Sequence, residues 1–311
     1  MLVHRDIAHL PVFKNAVITI GTFDGVHTGH QQILAQLKEE ARAIDGETVI
    51  ITFHPHPRLV VSHGANAVQL LTTLEEKIAL LEAAGIDHLV VTPFNEAFAE
   101  QSAEAYVHDF LVAKFHPHTV IIGYDHKFGK NRQGDYHLLE QKGAELGFAV
   151  KEIPGHVLNE AAISSTRIRE ALLQNDIETA NKCLGHTYFF DGLIVEGNKL
   201  GRTIGYPTAN LQMAEGKLIP GNGVYAVEAI LTDEPGIRLK GMMNIGVRPT
   251  VDGTKRTVEV NIFDFDRDIY GKTLRVFIKK YLRGEQKFSG LDGLKAQLAE
   301  DKKNAAENLK M

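Results

Sequence analysis

In the first half of the chain, short apolar runs alternate with stretches of helical periodicity. AVITI precedes a helical pattern over 31–44, TVIITF one over 73–84, HLVVTPF one over 102–114, and TVIIGY one over 135–146. In the first helix Ile33, Leu34, Leu37, Ala41 and Ile44 fall on one face. At the second, Thr73 and Glu76 have capping-box spacing. Strands covered on both faces by crossover helices read as unbroken Val/Ile runs, so the pattern predicts a parallel, doubly wound sheet. Ligands of such a sheet gather at its carboxyl edge.

After about Leu184 the pattern changes to β-type runs broken by glycines: TYFFDGLIVEG, GVYAVEAIL, IRLKGMMNIG, TVEVNIFDF and TLRVFIKKYL. These predict an antiparallel barrel or sandwich. Leu291, Leu294, Leu298 and Ala305 predict a closing helix within 290–310. Between the halves, 163–173 and 177–184 read as two short helices ending at Gly185, which divides the chain into domains 1–184 and 185–311.

A chain of 311 residues exceeds the size at which single cores stop growing, which agrees with two domains. Cys183 is the only cysteine, so no internal disulfide forms and a reducing, cytoplasmic setting is expected. The N-terminal stretch lacks signal-peptide patterning and no apolar run has bilayer-spanning length, so no membrane partner is expected. Net charge is −5, and neither half is strongly basic. This balance argues against a nucleic-acid partner.

GTFDGVHTGH, residues 21–30, lies at a strand-to-helix turn. Unpaired N–H groups and the dipole make a helix start attractive to phosphate, though only by ~0.3–1 kcal/mol per charge when exposed. Gly25 and Gly29 let phosphate approach the main chain, and His27 and His30 add directed donors. A preorganised donor contributes roughly 3–4 kcal/mol to catalysis. A bare HxGH would be an ordinary turn; the flanking strand and helix, Gly21, Thr22, Phe23 and Asp24 upstream, and ISSTRIR at 163–169 favour an ATP phosphate site. In ISSTRIR, Ser165 or Thr166 serves as N-cap and phosphate donor, and Arg169 projects from the same face.

In the second half, GNKLGRTIGYPTANL carries Gly201 and a compact PTAN. An extended backbone puts the Thr208 hydroxyl and Asn210 amide on one side, where both offer oxygen to a hard cation or to phosphate. In TVEVNIF, Val258, Val260 and Ile262 face a core while Glu259 and Asn261 share the other face. Phosphorylating a neutral hydroxyl favours a nearby carboxylate to accept its proton, which makes Glu259 a candidate base.

GTFDGVHTGH, TFHPHP, GYDHKFG and ISSTRIR resemble the nucleotidyltransferase superfamily, specifically the FMN adenylyltransferase module of bacterial bifunctional riboflavin kinase/FAD synthetases. GRTIGYPTANL, GVYAV, NIGVRPT, VEVNIFDFDRDIYGK and EQKF resemble their riboflavin kinase module. The resemblance implies a Rossmann-like nucleotidyltransferase domain followed by a six-stranded barrel. It implies that His27 and His30 hold ATP phosphates, that Ser165, Thr166 and Arg169 contact the triphosphate, and that Asp125 and Gly123 help place the ligands. In the barrel it implies that Thr208 and Asn210 bind Mg²⁺ and nucleotide phosphate, while Glu259 activates the riboflavin hydroxyl. ATP is then co-substrate, and FMN and FAD are products rather than prosthetic groups. The chain departs from the family pattern at His126 and Lys127, where many relatives carry an aromatic.

GNGVYA at 221–226 fits a degenerate dinucleotide motif but opens a strand, so it is rejected. His54, His56 and His63 are read as loop histidines rather than metal ligands, because no Cys or carboxylate completes the set. Two rival functions stand beside the main reading: an adenylyltransferase for another phosphorylated metabolite with a substrate-selecting barrel, and a non-catalytic flavin- or RNA-binding regulator.

Overall fold

The computed structural model describes residues 1–61, 69–123, 126–197, 200–250 and 253–309. It divides into two compact units, Met1–Ser165 and Thr166–Met311.

The first unit is built on a six-stranded sheet: β1 (Leu2–His4), β2 (Val17–Ile20), β3 (Thr48–His54), β4 (His88–Pro93), β5 (Thr119–Gly123) and β6 (Ala149–Ile153), in the order β1-β4-β3-β2-β5-β6. Every pairing is parallel. Successive residues of the central strands enter opposite cores: Ile18, Val49 and Ile51 pack with Phe110 and Phe115, whereas Val17 and Ile50 pack with Leu34, Leu37 and Leu81. Burial on both faces is what the unbroken apolar runs required.

The predicted helices form with small shifts at their ends. They are α1 (Thr28–Ala43), α2 (Leu74–Ala83) and α3 (Tyr136–Leu146); residues 103–115 are also helical, with a π-type stretch at Tyr106–Val112. Thr73 caps α2 with both bonds of the capping box present, and Asp135 caps α3. The two edge strands, β1 and β6, were not expected. β1 is only three residues long, and β6 is largely exposed, so neither carries a buried apolar run.

One sequence expectation is corrected. The helix containing ISSTRIR, α4 (Gly155–Leu173), begins at Gly155 rather than near Ile163. Ser165 and Thr166 are therefore interior helical residues, not N-caps.

The second unit is a closed antiparallel barrel of β7 (Phe189–Val195), β8 (Ala209–Met213), β9 (Gly223–Leu231), β10 (Leu239–Thr250), β11 (Gly253–Ile262) and β12 (Thr273–Arg283). Its order is β10-β11-β8-β7-β12-β9, with β9 pairing β10 to complete the circle. The rejected GNGVYA does lead into a strand, β9. Two helices pack with this barrel. Asn181 of α5 (Ile177–Leu184) bonds the Ile278 carbonyl and the Tyr188 N–H. The closing helix α6 (Leu291–Asn308) is held to β12 by a bidentate pair between Arg283 and the buried Asp301, at 2.8 and 2.6 Å.

Candidate functional site

In the first unit the chain leaves β2 through Gly21 and Thr22 and turns sharply. Phe23, Gly25 and Val26 all take left-handed backbone conformations, with φ of 46°, 84° and 41°. Only glycine adopts this region without cost, so two non-glycine residues here, one β-branched, mark a turn held by its surroundings. Buried Asp24 supplies part of that hold. Its carboxylate accepts the N–H groups of Leu71 (3.1 Å) and Thr72 (2.9 Å), and the Thr72 hydroxyl accepts the N–H of Gly25 at 3.0 Å. Asp24 therefore shapes the turn from beneath.

His27 is the N-cap of α1, its Nδ1 accepting the His30 N–H at 3.4 Å. A neutral imidazole that accepts at Nδ1 carries its proton on Nε2. Nε2–H then donates to Ser165 Oγ, 2.8 Å away. The His27 and His30 rings stack with centroids 3.7 Å apart, and Phe23 lies 5.0 Å from the His30 ring. Burial, then the neighbouring His27 and Lys77, hold the His30 pKa well below the usual imidazole value, so the ring is neutral near pH 7. Buried Gly29 lies in the first turn of α1, so two neutral imidazoles and a helix N-terminus share one corner of the sheet's carboxyl edge.

The structure thus brings Ser165 to His27. Thr166 is exposed and Arg169 half-buried further along α4, both in the second unit. Gly123 is buried at the end of β5, while Asp125 and His63 lie outside the described residues.

Sequence reasoning missed an aromatic cavity of about 490 Å³ in this unit, lined by Phe53, Phe94, Phe98, Tyr106 and Phe128. Tyr106 and Phe128 stack with centroids 4.8 Å apart, and Phe98 stands 5.6 Å from Phe53. At the departure from the family pattern, His126 lines the cavity 5.9 Å from Phe128, and Lys127 bonds Asp135 at 3.2 Å. The aromatic wall is therefore present, supplied by Phe128. Its rings come from four separate stretches of chain, which no local spacing reveals.

In the barrel, register assembles the second site. Glu259 of β11 lies opposite Asn210 of β8 on one side and Asn244 of β10 on the other. Directly paired residues project to the same face, so the three form one row, and all three line a cavity of about 290 Å³. Asn244 was not singled out in the sequence; the NIG of NIGVRPT was its signal. Thr208 lines this cavity and also a second of about 450 Å³ with Arg202, Asp266 and Tyr270. Buried Asn261 donates from Nδ2 to the Pro207 carbonyl at 2.7 Å, fixing the PTAN segment to β11. Gly201 is required by close approach: a Cβ there would overlap the Tyr206 carbonyl, and its own carbonyl accepts the Tyr206 N–H at 2.8 Å.

A parallel α/β unit with an imidazole-lined helix N-terminus, joined to a barrel whose two cavities share Thr208 and one of which holds a carboxylate, defines a two-domain phosphate-handling transferase. Residues 10–167 match the family model for FAD synthetase, and residues 184–309 match that for riboflavin kinase. Identity is 39% over 295 residues to the bifunctional riboflavin kinase/FMN adenylyltransferase of Escherichia coli (strain K12), covering 94% of this chain and 93% of that one. The protein of that name from Haemophilus influenzae is also 39% identical, over 294 residues and 94% of each chain. A crystal structure described as a macrolide-efflux protein from Streptococcus pneumoniae superposes with a TM-score of 0.83 at 28% identity, covering 98% of each chain. Among the described residues of the present chain, no helix is long and apolar enough to cross a membrane. The chain belongs to the bifunctional riboflavin kinase/FMN adenylyltransferase family.

Proposed function

We infer that the chain makes FAD from riboflavin in two ATP-using steps: phosphorylation to FMN in the barrel, then adenylyl transfer to FMN in the α/β unit. The observation that carries the first step is Thr208, which lines both barrel cavities while Glu259 lines only one. Riboflavin occupies the cavity with Glu259, and ATP the cavity with Arg202 and Tyr270, so that the γ-phosphate meets the 5′-hydroxyl at Thr208. The hydroxyl oxygen bonds to the γ-phosphorus, its proton passes to Glu259, and ADP leaves. A general base of this kind contributes roughly 10²–10⁴-fold.

Mg²⁺ suits the donor set here. Among the described residues no group of three His, Cys, Asp or Glu side chains forms a metal cluster, but the Thr208 hydroxyl and Asn210 amide offer the hard oxygens that Mg²⁺ takes together with phosphate and water. These two residues would hold the ion, which when bound neutralises charge on the transferring phosphoryl group.

In the second step an FMN phosphate oxygen bonds to the α-phosphorus of ATP and pyrophosphate leaves. The nucleophile is already anionic, so positioning and charge stabilisation suffice. His30 supplies a donor to the phosphates, His27 joins it by turning its one N–H from Ser165 Oγ to a phosphate oxygen, and the cavity of Tyr106 and Phe128 receives the isoalloxazine. For Thr166 and Arg169 the triphosphate role rests on the family resemblance alone. We place the functional boundary after Leu184, where α5 ends, and the protein in the reducing cytoplasm in keeping with its single cysteine.

The test is direct: purified protein with riboflavin, ATP and Mg²⁺ yields FMN and then FAD, separated by chromatography. Absence of both products overturns the reading.

A further inference from the structure

Lys77 is a buried charge that neither step uses. It follows Glu76 in the first turn of α2, and its side chain is turned inward, leaving the residue 5% exposed. The ammonium donates to the hydroxyl of Thr52, a fully buried residue of β3, at 3.2 Å. The Thr52 hydroxyl in turn donates to the Thr22 carbonyl, at 3.5 Å, in the phosphate turn. A chain of donors therefore runs from α2 through β3 into the backbone of GTFDGVHTGH.

An ammonium taken out of water is costly unless an opposite charge compensates it. Burial pushes the Lys77 pKa down to about 8, while Asp24, on the same turn, acts in the opposite direction. Among the described residues the titratable groups that face one another here are Asp24, His27 and His30 from the turn and α1, and Lys77 from α2. Asp24 already accepts the N–H groups of Leu71 and Thr72. His30 Nδ1 is buried with no hydrogen-bond partner among the described residues. The corner is thus arranged around a fixed cation behind a turn whose imidazole donors carry little charge of their own, as a polyanion would require.

We propose that Lys77 is a positioning residue of the adenylyl-transfer site, a buried cation that acts through Thr52 and Thr22 on the shape of the turn and through its field on His30, so that ATP phosphates meet neutral donors over a positive base. The inference rests on the reading of this turn as the triphosphate site. Removing the charge lets His30 gain a proton more readily, because like-charge repulsion from Lys77 is one cause of its lowered pKa.

The experiment uses the full chain with three substitutions, Lys77→Met, Lys77→Gln and His30→Ala. FMN-to-FAD conversion is followed from pH 5 to 9, with riboflavin phosphorylation as internal control. The two neutral Lys77 variants are expected to lose about tenfold or more in kcat for FAD formation, with KM for FMN within about twofold. The acid limb of kcat/KM is expected to move to higher pH, and riboflavin phosphorylation to stay at its original rate. Lys77→Gln retains a donor to Thr52, so it separates charge from hydrogen bonding and serves where Lys77→Met fails to fold. Wild-type kcat and an unmoved acid limb in Lys77→Gln, with only a lower Tm, would overturn the proposal. If His30→Ala also leaves FAD formation intact, the reading of the turn itself has failed.

Discussion

The two units handle phosphate with different equipment, and the difference follows from the nucleophile each must use. In the barrel the acceptor is a neutral hydroxyl, and on the proposed assignment the Glu259 carboxylate, in the row Asn210, Glu259, Asn244, takes its proton. In the α/β unit the acceptor is a phosphate that carries its own charge. There the one carboxylate of the turn, Asp24, is bound to backbone amides and shapes the loop instead of facing the chemistry. Imidazoles and a helix N-terminus take its place. On that assignment a base stands where a proton must be removed, and donors alone where only charge has to be steadied.

The largest effect expected from breaking this division is at Glu259. Glu259→Gln should lower the rate of FMN formation about 10²–10⁴-fold while FMN-to-FAD conversion continues, as read by chromatography of each half-reaction supplied with its own substrate. His27→Ala should do the reverse, costing FAD formation roughly 10²–10³-fold and leaving riboflavin phosphorylation unchanged. If either substitution abolished both steps in a folded protein, the two-site division would be wrong. Phe128→Ala removes one side of the stacked pair with Tyr106 and should raise KM for FMN about three- to tenfold in the adenylylation assay alone.

A smaller contrast concerns pH. Folding lowers the pKa of His4, through burial and then the neighbouring His88, and lowers that of His30 further, both from a usual value of 6.5. Below pH 6.5 the unfolded chain then binds more protons than the folded one. Stability of the first unit should fall as pH drops from 6.5 toward the folded values, and should rise again above about pH 8, where buried Lys77 loses its proton before its unfolded counterpart does. In the barrel, Glu234 is pulled down to about 2 by Arg267 and then Lys272, and burial pushes Tyr225 upward. Both titrate outside this window. Amide hydrogen exchange at pH 7.5 and 5.5, resolved to β2–β5 and to β9–β12, should show lost protection in the first set and little change in the second.

Much of this arrangement was legible in the sequence wherever it depended on neighbours along the chain. The central strands could be read because burial on both faces leaves a Val/Ile run, and the capping box because its two bonds span three residues. The start of α4 was not legible, because ISSTRIR has the composition of a cap although the helix enters at Gly155. Asn244 joins Glu259 only through strand register, and Phe53, Phe98, Tyr106 and Phe128 meet only in three dimensions. Lys77 reads as one more solvated helix lysine until the packing of α2 turns it inward.

The order of the strands has one further consequence. A circle of six strands has no rim along its paired length, so the barrel leaves strand edges open where the β10–β11 hairpin runs past Ile245 and Val258, whereas the open sheet ends at β1 and β6. In the first unit strand addition, and with it the first step of self-association under stress, is confined to those two margins. At β6 the exposed Lys151 and Glu152 set a charge of each sign along the margin, and Lys151 is tied at 2.6 Å to Glu40 of α1. Uncharged residues at 151 and 152 would make β6 the place where a second chain begins to stack.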